Sequence, residues 1–161
     1  MRLVTFLRWS LLLVSCLLAQ VASSAAEEPI AIIMSANAPS VVLKKDDLIL
    51  LYQRKKLFWP DGVRAQPVNL PANHPLRQAF SQAVLNRSPE DLEKYWNDLY
   101  FHGISPPYVL ASEEAILRFV SETPGAIGYV PLCSVDTRVK IVLVISINKF
   151  SEKVPTTECK H

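Results

Sequence analysis

A nine-residue segment near the carboxyl end, VKIVLVISI at positions 139 to 147, limits the folds open to this chain. β-Branched residues fill most of it, without the alternation of polar and apolar residues that a half-exposed strand shows. A strand of this kind is expected to be covered on both faces. Residues 30 to 34, 65 to 70 and 125 to 132 read as further strands because they are short and bounded by glycine, proline or asparagine.

Helical signals lie between these strands. Asp46 and Asp47 precede LILLYQRKK, which ends in basic residues, and this is the charge order that a helix dipole favours. Ser88 supplies an N-cap ahead of Pro89, and Ser112 opens a further helix. Apolar residues recur at helical spacing in three segments: Leu76, Ala79, Phe80, Ala83 and Val84; Leu92, Tyr95, Trp96, Leu99 and Tyr100; and Ile116, Phe119 and Val120. Strands alternating with helices predict an α/β fold, a three-layer sandwich with a mixed sheet.

The first 26 residues predict a secretory signal peptide. They carry Arg2 and Arg8, then an apolar run and small residues, and they contain no acid. The run is interrupted by polar residues and falls short of the roughly 20 apolar residues that a membrane span needs. Export would leave one domain at residues 27 to 150 and a tail at 151 to 161. The segment LVSC also resembles a lipobox, so the alternative is a lipoprotein that contacts the membrane through Cys16.

Charge and cysteine content narrow the choice of partners. Without the first 26 residues the chain has 15 basic and 15 acidic side chains, and a neutral chain lacks the electrostatic footprint of a nucleic-acid-binding protein.

Cys133 and Cys159 would reach an oxidising compartment, where they can form a disulfide. The alternative, a metal site at Cys159 and His161, lacks the paired spacing of metal ligands, so we predict no metal and no cofactor.

Signatures of common enzyme classes are absent from the sequence. It contains no Gly-x-Ser-x-Gly motif, and its four glycines form neither a P-loop nor a dinucleotide fingerprint. The acidic pairs at 46 to 47 and 113 to 114 lie near helix starts, where the helix dipole explains them. An aromatic ligand platform is conceivable, although helical spacing favours core packing for three of its members; the candidates are Trp59, Tyr95, Trp96, Tyr100 and Phe101. We predict that the protein is not an enzyme.

The order of elements, together with the segments KKLFWPDG, YWNDLYFHG and TPGAIGYV, resembles the periplasmic phosphate-binding proteins of ABC transporters. The resemblance covers most of residues 29 to 147 and is to one lobe of their two-lobed fold. Residues 59 to 62 and 123 to 130 are its most specific parts. It implies a periplasmic location and a single-lobe, type 2 periplasmic-binding-protein-like domain.

The resemblance also implies a site. In that family a Gly-Ser-Gly-Thr turn between a strand and a helix offers hydroxyl and backbone N–H groups to phosphate. The corresponding residues here are Asn73, His74, Pro75 and Leu76, which lack both hydroxyls, and Pro75 has no N–H. An anion would then be held at the helix start by Asn73, His74, Leu76 and Arg77. The alternative is that Asn73 or His74 only caps the helix and Arg77 is solvated.

Two functions therefore remain open. The first is an exported solute-binding-type protein that binds phosphate or a similar oxyanion weakly or with a partner. The second is an interaction module on the same scaffold, which has no small ligand and docks to an envelope or transport protein.

Overall fold

The computed structural model describes residues 28 to 146 and the backbone of residues 149 to 151. The strands are β1 (Ile30–Ser35), β2 (Gln66–Asn69), β3 (Tyr108–Val109), β4 (Ala126–Pro131), β5 (Val139–Ser146) and β6 (Lys149–Ser151). They form one sheet in the order β3-β2-β4-β1-β5-β6. β2 pairs in parallel with β3 and β4, whereas β1 pairs antiparallel with β4 and β5. The predicted mixed sheet is confirmed.

Four α-helices connect the strands: α1 (Lys45–Tyr52), α2 (Pro75–Phe80), α3 (Pro89–Tyr100) and α4 (Glu113–Glu122). A π-helix, Ser81–Leu85, continues α2, so the segment predicted as one regular helix changes its hydrogen-bonding pattern halfway. In the described part of the chain, every helix is too short or too polar to cross a membrane.

Helices cover both faces of the sheet, as β4 illustrates. A Cβ atom added at Gly128 would lie 2.6 Å from Cγ2 of Ile116, so α4 packs closely on that face. On the opposite face Tyr129 stacks on Phe80 with ring centroids 4.0 Å apart. Tyr52 of α1 packs beside these rings and donates a hydrogen bond to the carbonyl of Val68 at 3.0 Å. The predicted three-layer sandwich is therefore confirmed.

The helix starts predicted at Ser88 and Ser112 are confirmed by their caps. Oγ of Ser88 accepts a hydrogen bond from the N–H of Asp91 at 3.1 Å, and the Asp91 carboxylate accepts one from the N–H of Ser88 at 3.3 Å. This reciprocal pair is a capping box. Oγ of Ser112 likewise accepts from the N–H of Ala115 at 3.2 Å.

Two expectations about burial are wrong in part. Tyr100, placed on the apolar stripe of α3, is 67 % exposed, because the last turn of that helix extends beyond the core. Residues 140 to 142 of β5, including Ile141 and Val142, are only half-buried, whereas Val139 and residues 143 to 145 are buried. The sequence did not predict β3 or β6, which are only two and three residues long.

The predicted signal peptide, Cys16 of the lipoprotein alternative, Cys159 and His161 lie outside the described residues. Cys133 is disulfide-bonded. Its pairing with Cys159 stays a prediction.

Candidate functional site

The turn that the resemblance assigns to anion binding lies between β2 and α2. The strand ends at Asn69, His74 is the N-cap of α2, and Pro75 is its first residue. The predicted strand-to-helix junction is thereby confirmed. The turn follows the carboxyl end of a strand that is parallel to both of its neighbours, which is where open α/β sheets bind ligands.

His74 caps the helix through its imidazole. Nδ1 accepts a hydrogen bond from the N–H of Leu76 at 3.2 Å. Nε2 lies 3.9 Å from Oε1 of Glu113, the first residue of α4. Two helix starts therefore meet at this end of the sheet. Because the N–H of Leu76 already has a partner, an anion could reach it only by displacing the imidazole.

Arg77 lies below the turn and not on its surface. Its side chain is 6 % exposed, and its guanidinium donates a hydrogen bond to Oδ1 of Asn69. The capping interpretation, in which Arg77 is solvated, is wrong on this point. The hydroxyl of Tyr129 accepts a hydrogen bond from the N–H of Leu70 at 3.3 Å and lies 3.4 Å from the same Oδ1. Asn69, Arg77 and Tyr129 thus form a buried polar cluster.

The positive charge of Arg77 affects the pKa of two neighbouring tyrosines. Burial raises the pKa of Tyr52 and of Tyr129, and the positive guanidinium opposes that rise in both. Among the described ion pairs none involves Arg77. Since a guanidinium stays protonated in proteins, Arg77 supplies positive potential beneath the turn without offering itself at the surface.

The groups at the exposed surface of the turn favour an anion less than the positive charge of Arg77 beneath it does. Asn73 is exposed, and its amide can donate hydrogen bonds, while His74 and Leu76 are half-buried. The carboxylate of Glu113 beside His74 repels an anion. In residues 28 to 146, His, Cys, Asp and Glu side chains form no group of three or more that could hold a metal ion.

The aromatic residues considered as a platform have separate surroundings. Nε1 of Trp59 donates to the carbonyl of Gly125 at 2.9 Å, and the ring is buried, which is a structural role. Tyr95 and Trp96 are half-buried and pack edge to face. Tyr100 and Phe101 are exposed at the end of α3.

Sequence reasoning missed Asn69 and Tyr129 as partners of Arg77. A signal was present: Asn69 is, with Gln66, one of two polar residues in the otherwise apolar segment AQPVNL, and buried polar groups need hydrogen-bond partners. Arg77 lies 8 residues and Tyr129 60 residues further along the chain, and the sequence does not show that these side chains meet Asn69.

Comparison with known proteins gives structural matches alone. No protein-family model and no curated protein matches the chain. A phosphate ABC transporter substrate-binding protein from Clostridium perfringens, solved with bound phosphate, is similar with a TM-score of 0.59 and 22 % identity over 71 % of this chain and 44 % of its own. An ABC-type phosphate transport receptor from Vibrio cholerae is similar with a TM-score of 0.58 and 18 % identity, over 71 % of this chain and 45 % of its own. PstS from Borrelia burgdorferi is similar with a TM-score of 0.51 and 15 % identity, over 66 % of this chain and 41 % of its own.

The resemblance seen in the sequence is confirmed for the fold. This chain has the fold of part of a phosphate-type substrate-binding protein. It spans less than half the length of the solved chains that it matches.

Proposed function

We propose that this chain is an exported, non-enzymatic solute-binding-type protein that binds phosphate or a similar oxyanion weakly or with a partner. The observation that supports it is the meeting of two helix starts, at His74 and Glu113, beyond the carboxyl end of β2. The fold similarity to phosphate substrate-binding proteins, one of them with bound phosphate, points to the same ligand class.

The proposed contacts are few. The amide of Asn73 and Nε2 of His74 would reach the anion from the surface, the N–H of Leu76 after displacement of the imidazole, and Arg77 would act through its charge from below. Hydrogen bonds to charged groups contribute about 1.5 to 3 kcal/mol each, while association costs on the order of 4 to 15 kcal/mol. Tight binding would therefore need a partner that closes a cleft over the turn.

Thermal unfolding in millimolar phosphate tests this function, with chloride at equal ionic strength as reference. A ligand at ten times its dissociation constant stabilises by about 1.4 kcal/mol, which corresponds to a shift of a few degrees. Asn73→Ala should reduce the shift, and Glu113→Gln should increase it because a repelling carboxylate is removed. Absence of a phosphate-specific shift, or the same shift in both variants, would contradict the proposed site.

The variant His74→Asn tests the role of the imidazole in anion binding separately from its role as a helix cap. Asparagine is a good N-cap residue, so this variant should fold with α2 intact. A smaller phosphate shift in it would report the loss of Nε2 as a ligand. Arg77 is unsuitable for this test because its replacement disturbs the buried cluster.

The location of the protein is part of the proposal. We infer export to the periplasm through the segment at residues 1 to 26, with a lipoprotein anchored at Cys16 as the alternative. Intact-mass measurement of the protein isolated from its own cells distinguishes the two. A chain beginning at Glu27 supports cleavage of a signal peptide, and a lipid-modified chain beginning at Cys16 supports the lipoprotein. A chain that retains Met1 contradicts both.

A second function, an interaction module, is favoured by four exposed side chains. Tyr100, Phe101, Tyr108 and Val109 are all more than 60 % exposed, and β3, which contains two of them, is the last strand on its side of the described sheet. Large exposed apolar side chains are typical of protein-binding surfaces when they adjoin one another, as Tyr100 and Phe101 do, or lie on a sheet edge, as Tyr108 and Val109 do. Capture of an envelope protein that is lost in Phe101→Ser, and kept in Val42→Ser at an exposed site elsewhere, would support this function. Equal capture by both variants would count against it.

A further inference from the structure

A cavity of about 440 Å³ lies at the amino end of β2, at the opposite end of that strand from the turn described above. Gln66 and Pro67 of that strand line one side, and residues 103 to 108 line the other. Arg54 and Arg64 both face the cavity, and its lining includes no acidic side chain from the described residues. We call it the diarginine groove.

Arg54 occupies a backbone position that normally belongs to glycine. Its φ is +59°, in the left-handed region. The N–H of Arg54 donates to the carbonyl of Leu51 at 3.1 Å, and the N–H of Lys55 donates to that of Leu50 at 2.9 Å. This is the Schellman motif that ends a helix, and its left-handed residue is usually glycine because a side chain there is strained. Strain retained by a long cationic side chain indicates a role for that side chain.

The guanidinium group of Arg54 forms only part of its possible hydrogen bonds with the described protein. One terminal nitrogen donates to the carbonyl of Ala65 at 3.3 Å. Nε is buried and has no hydrogen-bond partner in the part of the chain that the structure describes. Buried donors without partners are uncommon in native proteins. Burial, and then the nearby charge of Arg64, lower the pKa of Arg54.

Arg64 is held beside it by a separate piece of backbone. The N–H of Ala65 donates to the carbonyl of Leu57 at 2.8 Å, and the N–H of Trp59 donates to that of Val63 at 2.8 Å. These bonds close a short hairpin in which Phe58 and Arg64 pair. The hairpin thus places Arg64 near enough to Arg54 for the two positive charges to repel each other, and an anion between them would relieve this repulsion.

We propose that the diarginine groove binds a phosphomonoester, a small organic molecule that carries a dianionic phosphate group. Guanidinium groups match phosphate oxygens in bidentate geometry, and two of them offset the charge of a dianion. The cavity volume lies within the range of about 300 to 1,000 Å³ typical of small-molecule sites, which leaves room for the organic substituent against Pro106, Pro107 and Tyr108. The groove does not depend on the turn at residues 73 to 77.

Phenyl phosphate is a suitable probe, titrated at constant ionic strength and followed by backbone amide NMR. It should shift the amide signals of Ala65, Gln66, Ser105 and Tyr108. Benzoate, which has a similar ring and a single charge, should bind at least about tenfold more weakly, because one or more charge-assisted hydrogen bonds are lost. Inorganic phosphate, run in parallel, shows how much of the affinity comes from the ring.

Two variants and one control make the test specific. Arg64→Gln should weaken phenyl phosphate binding about tenfold or more. Arg54→Gly should do the same, and it should fold because glycine is favoured at its left-handed position. Arg87→Gln removes an exposed charge elsewhere and should leave the affinity unchanged.

Three outcomes overturn the proposal. They are the absence of any shift, equal weakening in all three variants, and shifts confined to residues 72 to 77. The last outcome would support the oxyanion site at the turn alone, so the groove and the proposed function can fail separately.

Discussion

The guanidinium of Arg77 donates a hydrogen bond to Oδ1 of Asn69, and both side chains are buried. The acceptor lies at the end of β2 and the donor in the first turns of α2, so this bond fixes the direction in which the chain leaves the sheet. The hydroxyl of Tyr129, from β4, lies at hydrogen-bond distance from the same oxygen. The consecutive elements β2 and α2 are thereby joined to β4, which is far away in sequence, beneath the candidate anion site.

Arg77→Met should lower the free energy of unfolding by about 1 to 3 kcal/mol, because it leaves the buried Oδ1 of Asn69 without its charged donor. Urea unfolding measures the loss. Asn69→Leu combined with Arg77→Met should recover part of it, since both members of the Asn69–Arg77 pair become apolar; adding Tyr129→Phe removes the hydroxyl that would otherwise lose its acceptor on Asn69. A change within about 0.5 kcal/mol for Arg77→Met, as for an ordinary surface substitution, would show that the bond contributes little.

The buried tyrosines predict alkaline instability. Burial raises the pKa of Tyr52 well above its usual value and also raises that of Tyr129. A tyrosine in the unfolded chain loses its proton near pH 10, whereas these two keep theirs in the folded protein. The folded state then binds more protons, so the free energy of unfolding falls as pH rises above about 10. Urea unfolding from about pH 8 to 11 should show a shallower fall in Tyr52→Phe; an unchanged slope would exclude Tyr52 as the cause.

The fold could be predicted because its signals are local. Ser88 and Ser112 cap their helices through residues three positions away, and the apolar strands are short and bounded by turn residues. The π-helix at Ser81–Leu85 has no such signal, and the two-residue β3 depends on pairing with β2.

The candidate site was less predictable because its chemistry depends on tertiary contacts, both across the turn between β2 and α2 and with Tyr129 of β4. Whether Arg77 is solvated or buried is decided by Asn69 and by the packing around Phe80 and Tyr129, which the helical pattern does not encode. The same holds for Arg54. From sequence it reads as a basic residue suited to a helix dipole, whereas it lies just beyond the end of α1 in a left-handed conformation.

Gly125 should not tolerate a side chain. Its φ is +75°, and an added Cβ would lie 2.2 Å from the carbonyl oxygen of Arg64. Gly125→Ala therefore has to move the hairpin, whose Trp59 donates a hydrogen bond to the carbonyl of Gly125, and we expect a loss of about 3 kcal/mol or more in unfolding free energy. Gly62 is a matched control with φ +83° and no atom within 4 Å of an added Cβ. Gly62→Ala should lower the unfolding free energy by only about 1 to 2 kcal/mol, which is the cost of holding a residue with a Cβ in the left-handed conformation. Equal losses would mean that the contact with Arg64 relaxes freely.

Arg54→Gly and Arg54→Ala together isolate the strain at the end of α1. Both remove the hydrogen bond to Ala65 and the charge beside Arg64, but only glycine relieves the left-handed conformation. Arg54→Gly should therefore be about 1 to 2 kcal/mol more stable than Arg54→Ala in urea unfolding. Neither variant should bind phenyl phosphate as the wild type does. If the two variants are equally stable, the backbone at position 54 is unstrained, and the presence of arginine there needs no functional explanation.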